Sequence, residues 1–452
     1  MCATRDPSCL VDARDQCVGR VGAFHAAIRF LEESPVDAGE INLLDPLVFE
    51  DKVPHEWFTH LRHNAPIYRH PEPGGPGFWV ITRYDDVVEV GRDGVTYSSE
   101  QSRGGVVALE DTEAAADISA QGRMMLTMDA PDHTRYRSLV NRGFTPRMIN
   151  ALSGHIREMV TKILEPALEK RDCDFVTDVA AELPLQVIAE MLGVPYEDRH
   201  KLFEWSNRMI GSKDPEYAVS QEKVQAAAIE MYMYSNELAK KRREDPRDDI
   251  VTALLKADMD GDQLSELDFN VFFLLLAVAG NETTRNAMSH GMNALLDYPD
   301  QFAMLAADPS LVNSATEEIL RWASPVMYFR RNVTKDTEVR GQKIKAGDKV
   351  SIWYISANRD EEIFPDPFTF DIRRTPNQHV AFGGGGPHFC LGASLARMEM
   401  SILFEELVKR VASVERTGPV KRLRSNFING LKHLPVRLTP TVRKAANVPS
   451  LH

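Results

Sequence analysis

The stretch FGGGGPHFCLGASLARMEM, residues 382–400, places four consecutive glycines, a proline and a histidine directly before a single cysteine, Cys390. Glycine permits positive φ and close approach of other groups to the backbone, which residues with a side chain resist. From Gly392 onward the composition favours a helix, and the free amides at a helix start favour a thiolate. The stretch therefore predicts a backbone folded tightly around the Cys390 sulfur.

Several roles remain open for this sulfur on the residues alone. A buried structural thiol is the plainest. Zinc would need further Cys or His ligands at short spacing, and neither a CxxC nor an HxxxH pattern lies beside Cys390. A nucleophile paired with His388 is conceivable, although alternate residues do not readily face each other and no residue is placed to orient the histidine. A single thiolate at a helix start also suits a metal that takes its other ligands elsewhere, as haem iron does.

Composition bounds the class of protein. The chain has 452 residues, 43% apolar and 26% charged, which is enough for a large core. Because no linker or repeat divides it, we expect one domain over residues 41–452, with residues 1–40 as a loosely attached N-terminal extension. The formal charge of −13 argues against nucleic acid as a partner.

Cysteine usage and hydropathy bear on location. The five cysteines are odd in number and lack the spacing of a disulfide framework, which predicts a reducing cytoplasm. The most apolar run, FNVFFLLLAVAG at 269–280, is shorter than the roughly 18 to 20 residues that a membrane span needs. We therefore expect a buried core helix there and no membrane span.

Periodicity predicts a mainly α fold with a smaller β region. Apolar residues recur at helical spacing through most of residues 145–244, and strand-like alternation is confined to short segments such as 337–355. A central helix is predicted from Ser265, capped with Asp268, to Leu296, before Pro299. At about 1.5 Å per residue it would be on the order of 48 Å long.

Four further segments, together with the cysteine loop, resemble the cytochrome P450 superfamily of haem-thiolate monooxygenases. They are HTRYR at 133–137, AGNETT at 279–284, EILR at 318–321, and FDIRR at 370–374 followed by PNQH. The likeness covers about residues 40–440. It implies the cytochrome P450 fold with its long central helix over haem b, and activity as an O₂-dependent monooxygenase.

One position departs from the family pattern. The family places an aromatic residue seven positions before the cysteine, whereas here that position is Gly383 and the aromatic residue is Phe382. The extra glycine resembles a bacterial subgroup that oxidises sterol side chains and methyl-branched lipids. Other segments resemble the same subgroup: PHEWF, GPGFWVITRYDD, NRGFTPRM, the stretch from WSNRM through DPEY, and RLRSNFINGLKH.

The resemblance implies roles around the cofactor. Cys390 would be the axial thiolate ligand of the iron, tuned by amides of the glycine loop and of Gly392. Phe382 and Gly383 would pack near the haem, and Ala279 and Gly280 would let it approach the central helix. Its propionates need cations. The candidates are His133, Arg137, Arg331 and His388.

Two further groups of residues follow from spacing and resemblance together. Thr283 lies four residues after Ala279, so its hydroxyl can bond the Ala279 carbonyl, and with Glu282 it reads as a relay delivering protons to dioxygen. Glu318 and Arg321 lie one helical turn apart and, with Arg374, would form a structural trio in which Arg374 pairs bidentately and staples the helix to the segment before the cysteine.

An apolar pocket is implied for the substrate. The residues that the resemblance places there are Val106, Val107, Leu109, Phe272, Val326, Met327, Phe329, Phe427 and Ile428. We expect hydroxylation of the terminal methyl of a sterol side chain, of the cholesterol or cholest-4-en-3-one type. The alternative is omega-hydroxylation of methyl-branched fatty acids or isoprenoids.

Electrons would come from other proteins, because the chain has neither a flavin-binding fingerprint nor a ferredoxin-type cysteine cluster. The resemblance implies a ferredoxin and an NAD(P)H-dependent ferredoxin reductase, with Arg135, Arg142 and Arg147 as possible docking cations. Three other classes remain open. They are a peroxide-driven peroxygenase, a non-catalytic haem carrier or gas sensor, and a haem-free helical interaction protein.

Overall fold

The structure, a computed structural model, describes residues 38–111, 124–141, 144, 146–217, 220–256 and 264–441. The chain divides into two compact units, residues 1–41 and 42–452. The described part of the first unit contains a 3-10 helix at Ala38–Glu40. The N-terminal extension predicted for residues 1–40 otherwise lies outside the described residues.

Helices form the larger part of the second unit. They are α1 (Pro46–Asp51), α2 (His55–Asn64), α3 (Tyr84–Arg92), α4 (Asp132–Asn141), α5 (Pro146–Ala151), α6 (Ser153–Lys170), α7 (Glu182–Met191), α8 (Arg199–Ile210), α9 (Gln221–Glu244), α10 (Ile250–Leu255), α11 (Glu266–Asp297), α12 (Pro299–Ala307), α13 (Val312–Ala323), α14 (Tyr354–Ala357) and α15 (Ala393–Arg410). The long stretch predicted as helical between residues 145 and 244 is confirmed as a series of separate helices.

The strands form a smaller β region, as predicted. They are β1 (Ile67–His70), β2 (Phe78–Ile81), β3 (Tyr97–Ser98), β4 (Asp172–Asp174), β5 (Tyr328–Val333), β6 (Thr337–Val339), β7 (Gln342–Ile344), β8 (Lys349–Trp353), β9 (Val411–Arg416), β10 (Lys421–Arg422), β11 (Leu431–His433) and β12 (Pro435–Pro440). A five-stranded sheet has the order β1-β2-β8-β5-β3, in which the β2–β8 pair is parallel. A three-stranded sheet has the order β4-β12-β9.

The central helix begins and ends close to the predicted positions. The Ser265 side chain accepts a hydrogen bond from the Asp268 amide at 3.1 Å, which caps α11 at its first turn. The helix runs unbroken for 32 residues to Asp297, where Tyr298 and Pro299 end it. Its length of about 48 Å allows it to cross the whole unit.

Two separate apolar cores hold the two ends of α11. Phe273 and Ala277, in the N-terminal half, pack among residues of α8, α9 and α10. Met288 and Met292, in the C-terminal half, pack among residues of α6, α13 and α15. The AGNETT segment lies between the two cores.

No helix among the described residues combines the length and apolarity that a bilayer span requires. The same described ranges contain no group of three or more His, Cys, Asp or Glu side chains arranged to hold a metal ion.

Candidate active site

The cysteine loop closes tightly just before α15. The Cys390 amide donates a hydrogen bond of 3.0 Å to the Phe382 carbonyl. Burial raises the pKa of the Cys390 thiol, and a hydrogen bond from the Gly392 amide and the charge of Arg137 act against that rise. Gly392 thus supplies the predicted amide donor, whereas Gly383 donates to the Val380 carbonyl at 2.9 Å.

The four consecutive glycines also serve packing against α3. A Cβ at Gly384 would come within 2.8 Å of the Val88 Cα, and one at Gly386 within 2.6 Å of the Gly91 carbonyl oxygen. Gly386 also has a φ of +81°, which disfavours any side chain. The sequence predicted tight folding around the sulfur, and the structure adds close contact between this loop and α3.

Phe382 and Gly383 both lie in the loop that the Cys390 amide closes by its bond to the Phe382 carbonyl. The Arg397 guanidinium lies over the Phe382 ring, 4.5 Å from its centre, and the Phe389 ring lies 6.5 Å away. A Cβ at Gly383 would first meet protein atoms at 4.0 Å, and one at Gly392 would meet none within 4 Å. Open space therefore adjoins the backbone on both sides of Cys390.

Four basic side chains predicted from separate segments, two arginines and two histidines, come together beside the cysteine loop. The rings of His133 and His388 lie 4.1 Å apart. Arg137 donates to the Phe389 carbonyl at 2.6 Å, and burial, together with the charges of Arg331, His133 and Arg137, lowers the pKa of His388 to about 3. Helix α4 and strand β5 thus bring positive groups to one place.

These four basic side chains lack carboxylate partners among the described residues. Arg331 is buried and donates to the Arg330 carbonyl at 2.7 Å, while the Nε2 of the buried His133 has no hydrogen-bond partner. The charge of Asp129 acts on His133 and Arg331 from outside ion-pair distance. A buried arginine normally has a counter-charge, and a neutral histidine can donate a hydrogen bond, so this cluster fits an anionic group.

The arrangement fits haem. Protein atoms surround Cys390, yet its own surface is accessible, so it faces an internal cleft. The cleft combines a thiol, glycines with open space beside them, and a cation cluster suited to two carboxylates. Cys390 could hold the iron, and the cluster could hold the propionates.

The middle of α11 presents an accessible stripe. Thr283 Oγ1 donates to the Ala279 carbonyl at 2.9 Å, as predicted from their spacing. Leu275, Ala279 and Thr283 lie on one face of the helix and all retain exposed surface, although most neighbouring residues of α11 are buried. This face is therefore the part of the helix that is not covered by packed side chains.

Gly280 has a packing neighbour that the sequence did not predict. A Cβ at this position would lie 3.1 Å from Cδ1 of Ile188 in α7. The absence of a side chain therefore allows α7 and α11 to pack closely. Its role in letting haem approach remains a prediction.

Glu282 is fully buried and paired. It forms an ion pair with Arg285, which in turn donates to Asn207 of α8 at 2.8 Å. Burial raises the pKa of Glu282 despite the nearby charge of Arg285, and its Oε1 has no partner. The sequence analysis missed Arg285 and Asn207. The i, i+3 spacing of Glu282 and Arg285 in an otherwise apolar helix was the available signal.

The trio of Glu318, Arg321 and Arg374 is present, with one correction. Arg321 is the bidentate partner, donating from Nε and Nη2 to the two Glu318 oxygens at 2.8 Å each. Arg374 approaches Glu318 with Nε alone, at 3.2 Å, and uses its other nitrogens for the carbonyls of Pro365, Asp366 and Thr369. The prediction that Arg374 pairs bidentately with Glu318 was wrong. Backbone carbonyls around Arg374 compete for its terminal nitrogens and leave only Nε for the carboxylate.

Several predicted pocket residues meet at one patch. Val326 and Ile428 form an isolated antiparallel bridge, and the rings of Phe329 and Phe427 lie 5.7 Å apart. The loop carrying Val106, Val107 and Leu109 joins this patch through β5, where the Arg330 amide donates to the Val106 carbonyl at 2.8 Å. Val107, Val326, Phe329 and Phe427 retain accessible surface.

Other predicted pocket residues are enclosed. Phe272 is fully buried and packs in the apolar core with α8, α9 and α10, so it presents no surface to a cleft. Met327 is likewise fully buried. We assign both residues to core packing. A small change in the rotation of a helix, or a shift of one position along a strand, moves a side chain from the cleft to the core. Val106, Leu109 and Ile428 are nearly closed and lie behind the accessible members.

A second opening lies on another part of the surface. A cleft of about 780 Å³ is lined by residues that include Glu190, Tyr196, Arg242 and Asp249. It contains none of the predicted site residues. Its mixed charges and the buried Arg242–Asp249 ion pair indicate a structural crevice.

Comparison with known proteins supplies the family. The sequence model described as Cytochrome P450 matches residues 46–427. A Rhodococcus jostii protein named Steroid C26-monooxygenase is 45% identical over 398 residues, covering 87% of this chain and 83% of that protein. A Mycobacterium tuberculosis protein named Methyl-branched lipid omega-hydroxylase is 41% identical over 414 residues, covering 89% of this chain and 95% of that protein.

Solved structures agree with these sequence matches. A Mycobacterium marinum cytochrome P450 in complex with pseudoionone has a TM-score of 0.82 and 36% identity, covering 90% of this chain and 100% of that one. A second structure, from Novosphingobium aromaticivorans, has a TM-score of 0.80 and 34% identity, covering 88% of this chain and 97% of that one. The predicted fold, with a long central helix and a smaller β region, is confirmed.

Proposed function

The chain belongs to the cytochrome P450 family, and we propose that it is a monooxygenase that binds haem b through Cys390 and hydroxylates the terminal methyl group of a sterol side chain. The observation that carries the cofactor assignment is the cluster of His133, Arg137, Arg331 and His388 beside an accessible thiol, a cluster without carboxylate partners in the described part of the chain. When bound, haem supplies the activation of dioxygen for insertion of one oxygen atom into a C–H bond.

The chain's own residues orient groups and handle protons. The Gly392 amide stabilises negative charge on the Cys390 sulfur. Burial raises the pKa of Glu282 and so favours its protonated form, and Thr283, the next residue, presents its hydroxyl on the accessible face of α11. We assign these two residues to proton delivery from the helix interior toward the cleft.

The acid and alcohol also separate this proposal from the other haem-binding classes. A peroxide-driven enzyme and a gas carrier need no supply of protons to dioxygen. The buried Glu282–Arg285 pair behind Thr283 is costly to build into a helix, although Arg285 also joins α11 to Asn207 of α8. These features favour dioxygen as the oxidant.

An apolar substrate suits the patch around Phe329 and Phe427, where accessible side chains are aliphatic or aromatic. The relatives named Steroid C26-monooxygenase support a steroid with its side chain directed at the reacting centre. The relatives named Methyl-branched lipid omega-hydroxylase support the second candidate, a branched fatty acid or isoprenoid. Both candidates require attack on a terminal methyl.

Electron supply by a ferredoxin and an NAD(P)H-dependent reductase is part of the proposal. Helix α4, whose Arg137 contacts the cysteine loop, also carries the exposed Arg135, and Arg147 is exposed on α5. Cations at this position suit an acidic redox protein. Arg142 lies outside the described residues. The cytoplasm remains the expected location, since it supplies the reduced nicotinamide.

The cofactor assignment is tested by Cys390→Ser. The reduced wild-type protein with carbon monoxide should show the long-wavelength absorption band that thiolate ligation produces, and the variant should lose it. Cys173→Ser is the matched control, because Cys173 is half-buried in β4 and remote in sequence from the loop. Survival of the band in Cys390→Ser would refute the ligand assignment.

The substrate assignment is tested by titrating the oxidised protein with cholest-4-en-3-one and with a methyl-branched fatty acid while following the shift from low to high spin. The steroid should produce the larger shift, and turnover with ferredoxin, reductase and NAD(P)H should yield the terminal alcohol by mass spectrometry. No response to the steroid, with a response to the fatty acid, would replace the first candidate by the second.

A further inference from the structure

One strand of the central sheet holds the pocket loop by its backbone. Residues 103–108 offer a run of carbonyls, and donors from β5 satisfy most of them. Arg330 Nη2 donates to the Arg103 carbonyl at 3.2 Å, and Arg330 Nη1 donates to the Ala108 carbonyl at 3.1 Å. Asn332 Nδ2 donates to the Gly105 carbonyl at 2.9 Å.

Two more hydrogen bonds reach the carbonyls between Gly105 and Ala108. The Arg330 amide donates to the Val106 carbonyl, and the Tyr328 hydroxyl donates to the Val107 carbonyl, each at 2.8 Å. The carbonyls of residues 103, 105, 106, 107 and 108 are thus all bonded to Tyr328, Arg330 or Asn332. One partner element thus fixes most carbonyls of the loop.

The loop is shaped to receive Arg330. Gly104 has a φ of +110°, and a Cβ there would come within 2.2 Å of Arg330 Nη2. Glycine is therefore required both by the backbone conformation and by the guanidinium. Asn332 Oδ1 in turn accepts from Arg330 Nε at 3.0 Å and from Nη2 at 2.9 Å, which fixes the orientation of the arginine.

Charged groups anchor the far end of the loop to the same sheet. Asp111 lies 3.0 Å from Arg330 Nη2 and 3.2 Å from Lys349 Nζ of β8. Lys349 also pairs with Glu72 at 2.5 Å, and Glu72 accepts from the Asp111 amide at 3.1 Å. Arg330, Lys349 and Glu72 are buried, so loss of one partner would leave an uncompensated charge.

The alternation of a strand places the other side chains of β5 on its opposite face. Phe329 joins the accessible apolar patch with Phe427, and Arg331 joins the cation cluster. Tyr328, Arg330 and Asn332 direct their polar side-chain atoms to the loop that carries Val107, and the Tyr328 ring also lies 5.4 Å from the Phe427 ring. One strand thus fixes both the pocket wall and the loop beside it.

On the basis of the proposed function, we infer that Tyr328, Arg330 and Asn332 are positioning residues that set substrate preference by fixing the conformation of residues 103–108. They act through the loop and need no contact with the substrate. Misplacement of the loop should alter how the pocket discriminates between ligands of different shape, while haem ligation by Cys390 is retained.

The loop contains its own reporter. Trypsin cuts after arginine, and the Arg103 side chain is exposed while Arg330 holds its carbonyl. Arg330→Met should raise the initial rate of cleavage between Arg103 and Gly104 by about tenfold or more, since local opening exposes the bond. Arg62→Met is the control, because Arg62 is equally buried and pairs with Glu361 away from the loop.

Ligand discrimination is the second measurement. The ratio of the spin-shift dissociation constants for cholest-4-en-3-one and a methyl-branched fatty acid should change by about fivefold or more in Arg330→Met. Asn332→Ala should change both readouts in the same direction and Arg330→Lys by a smaller amount, because lysine keeps the charge but loses the fork. The control Arg62→Met should leave both unchanged.

Two outcomes would overturn the inference. Cleavage at Arg103 no faster in Arg330→Met than in Arg62→Met would show that β5 does not hold the loop. Faster cleavage with an unchanged ratio would show that loop conformation does not set preference. Failure of the proposed substrate would differ from both. In that case the steroid would cause no spin shift in the wild-type protein. The proteolysis needs no ligand and would still report on the loop. The ratio of dissociation constants would then be measured with an isoprenoid in place of the steroid.

Discussion

The Thr283 hydroxyl donates to the Ala279 carbonyl at 2.9 Å, one turn earlier in α11. This bond orients the hydroxyl oxygen on the accessible stripe while leaving its lone pairs open to accept. We expect Thr283→Val, which keeps the shape and loses the hydroxyl, to retain haem but to lower the product formed per NAD(P)H consumed by about tenfold or more. NAD(P)H consumption, oxygen uptake and product formation are measured in the same reaction.

The neighbouring Thr284 provides the matched control. It is buried on another face of the helix, so Thr284→Val should leave coupling close to the wild-type value. Equal coupling in the two variants would place proton delivery elsewhere.

The buried pair of Glu282 and Arg285 should be sensitive to the loss of one member. Arg285→Met leaves the Glu282 carboxylate without its cation and should lower the free energy of unfolding by about 3 kcal/mol at neutral pH. The double variant Glu282→Gln, Arg285→Met removes both charges and should recover most of that loss. Urea unfolding followed by circular dichroism measures all three proteins. A double variant no more stable than Arg285→Met would contradict the pairing.

Arg321 and Arg374 should differ in how they tolerate lysine. Arg321 is fully buried and binds both Glu318 oxygens, so Arg321→Lys should lower the free energy of unfolding by about 3 kcal/mol and reduce haem retention. Arg374 offers Glu318 one nitrogen, and Arg374→Lys should lower it by only about 1 kcal/mol. The ratio of haem to protein absorbance and thermal unfolding provide the measurements. Equal losses of unfolding free energy in the two variants would contradict this difference between Arg321 and Arg374.

His433 should give stability a pH dependence. Burial opposes its charged form, but hydrogen bonds to Asp174 at 2.6 Å and Glu216 at 2.8 Å outweigh burial and raise its pKa. The stabilisation is therefore complete below the unfolded value of about 6.5 and is lost as the pH rises through the raised pKa. Wild type should become less stable across this interval.

The variant His433→Gln can keep a hydrogen bond but cannot titrate. Its free energy of unfolding should vary less with pH than that of wild type between about pH 6 and pH 8. Urea unfolding at several pH values makes the comparison. Parallel curves for the two proteins would show that another group titrates.

Local signals predicted α11 and the Glu318–Arg321 pair well, because capping and i, i+3 spacing depend on neighbours in the chain. Which side of a helix faces the core depends on tertiary packing and not on neighbours in the chain. For this reason Phe272 was placed in the pocket but packs in the core. The contact of Gly384 with Val88 joins residues that are distant in sequence. A single sequence offers no measure of such proximity.

Two of the segments noted for resemblance to one subgroup contact each other. Asp214, from the stretch ending in DPEY, accepts from Lys432 at 3.0 Å and from the Arg424 amide at 2.8 Å, both within RLRSNFINGLKH. Their shared resemblance therefore has a structural basis that neither segment reveals alone. The cation cluster is similar, since its members come from α4, β5 and the cysteine loop.

The alternation along β5 limits how this enzyme could acquire a new substrate. Sliding the strand by one residue would exchange its two faces, turning Arg330 toward the cation cluster and Phe329 toward the loop. Insertions or deletions within β5 would thus cost cofactor binding and pocket shape at once. Divergence of specificity must proceed through side-chain replacements at constant register, or through the loop sequence itself, and directed libraries that respect this restriction should retain more folded members.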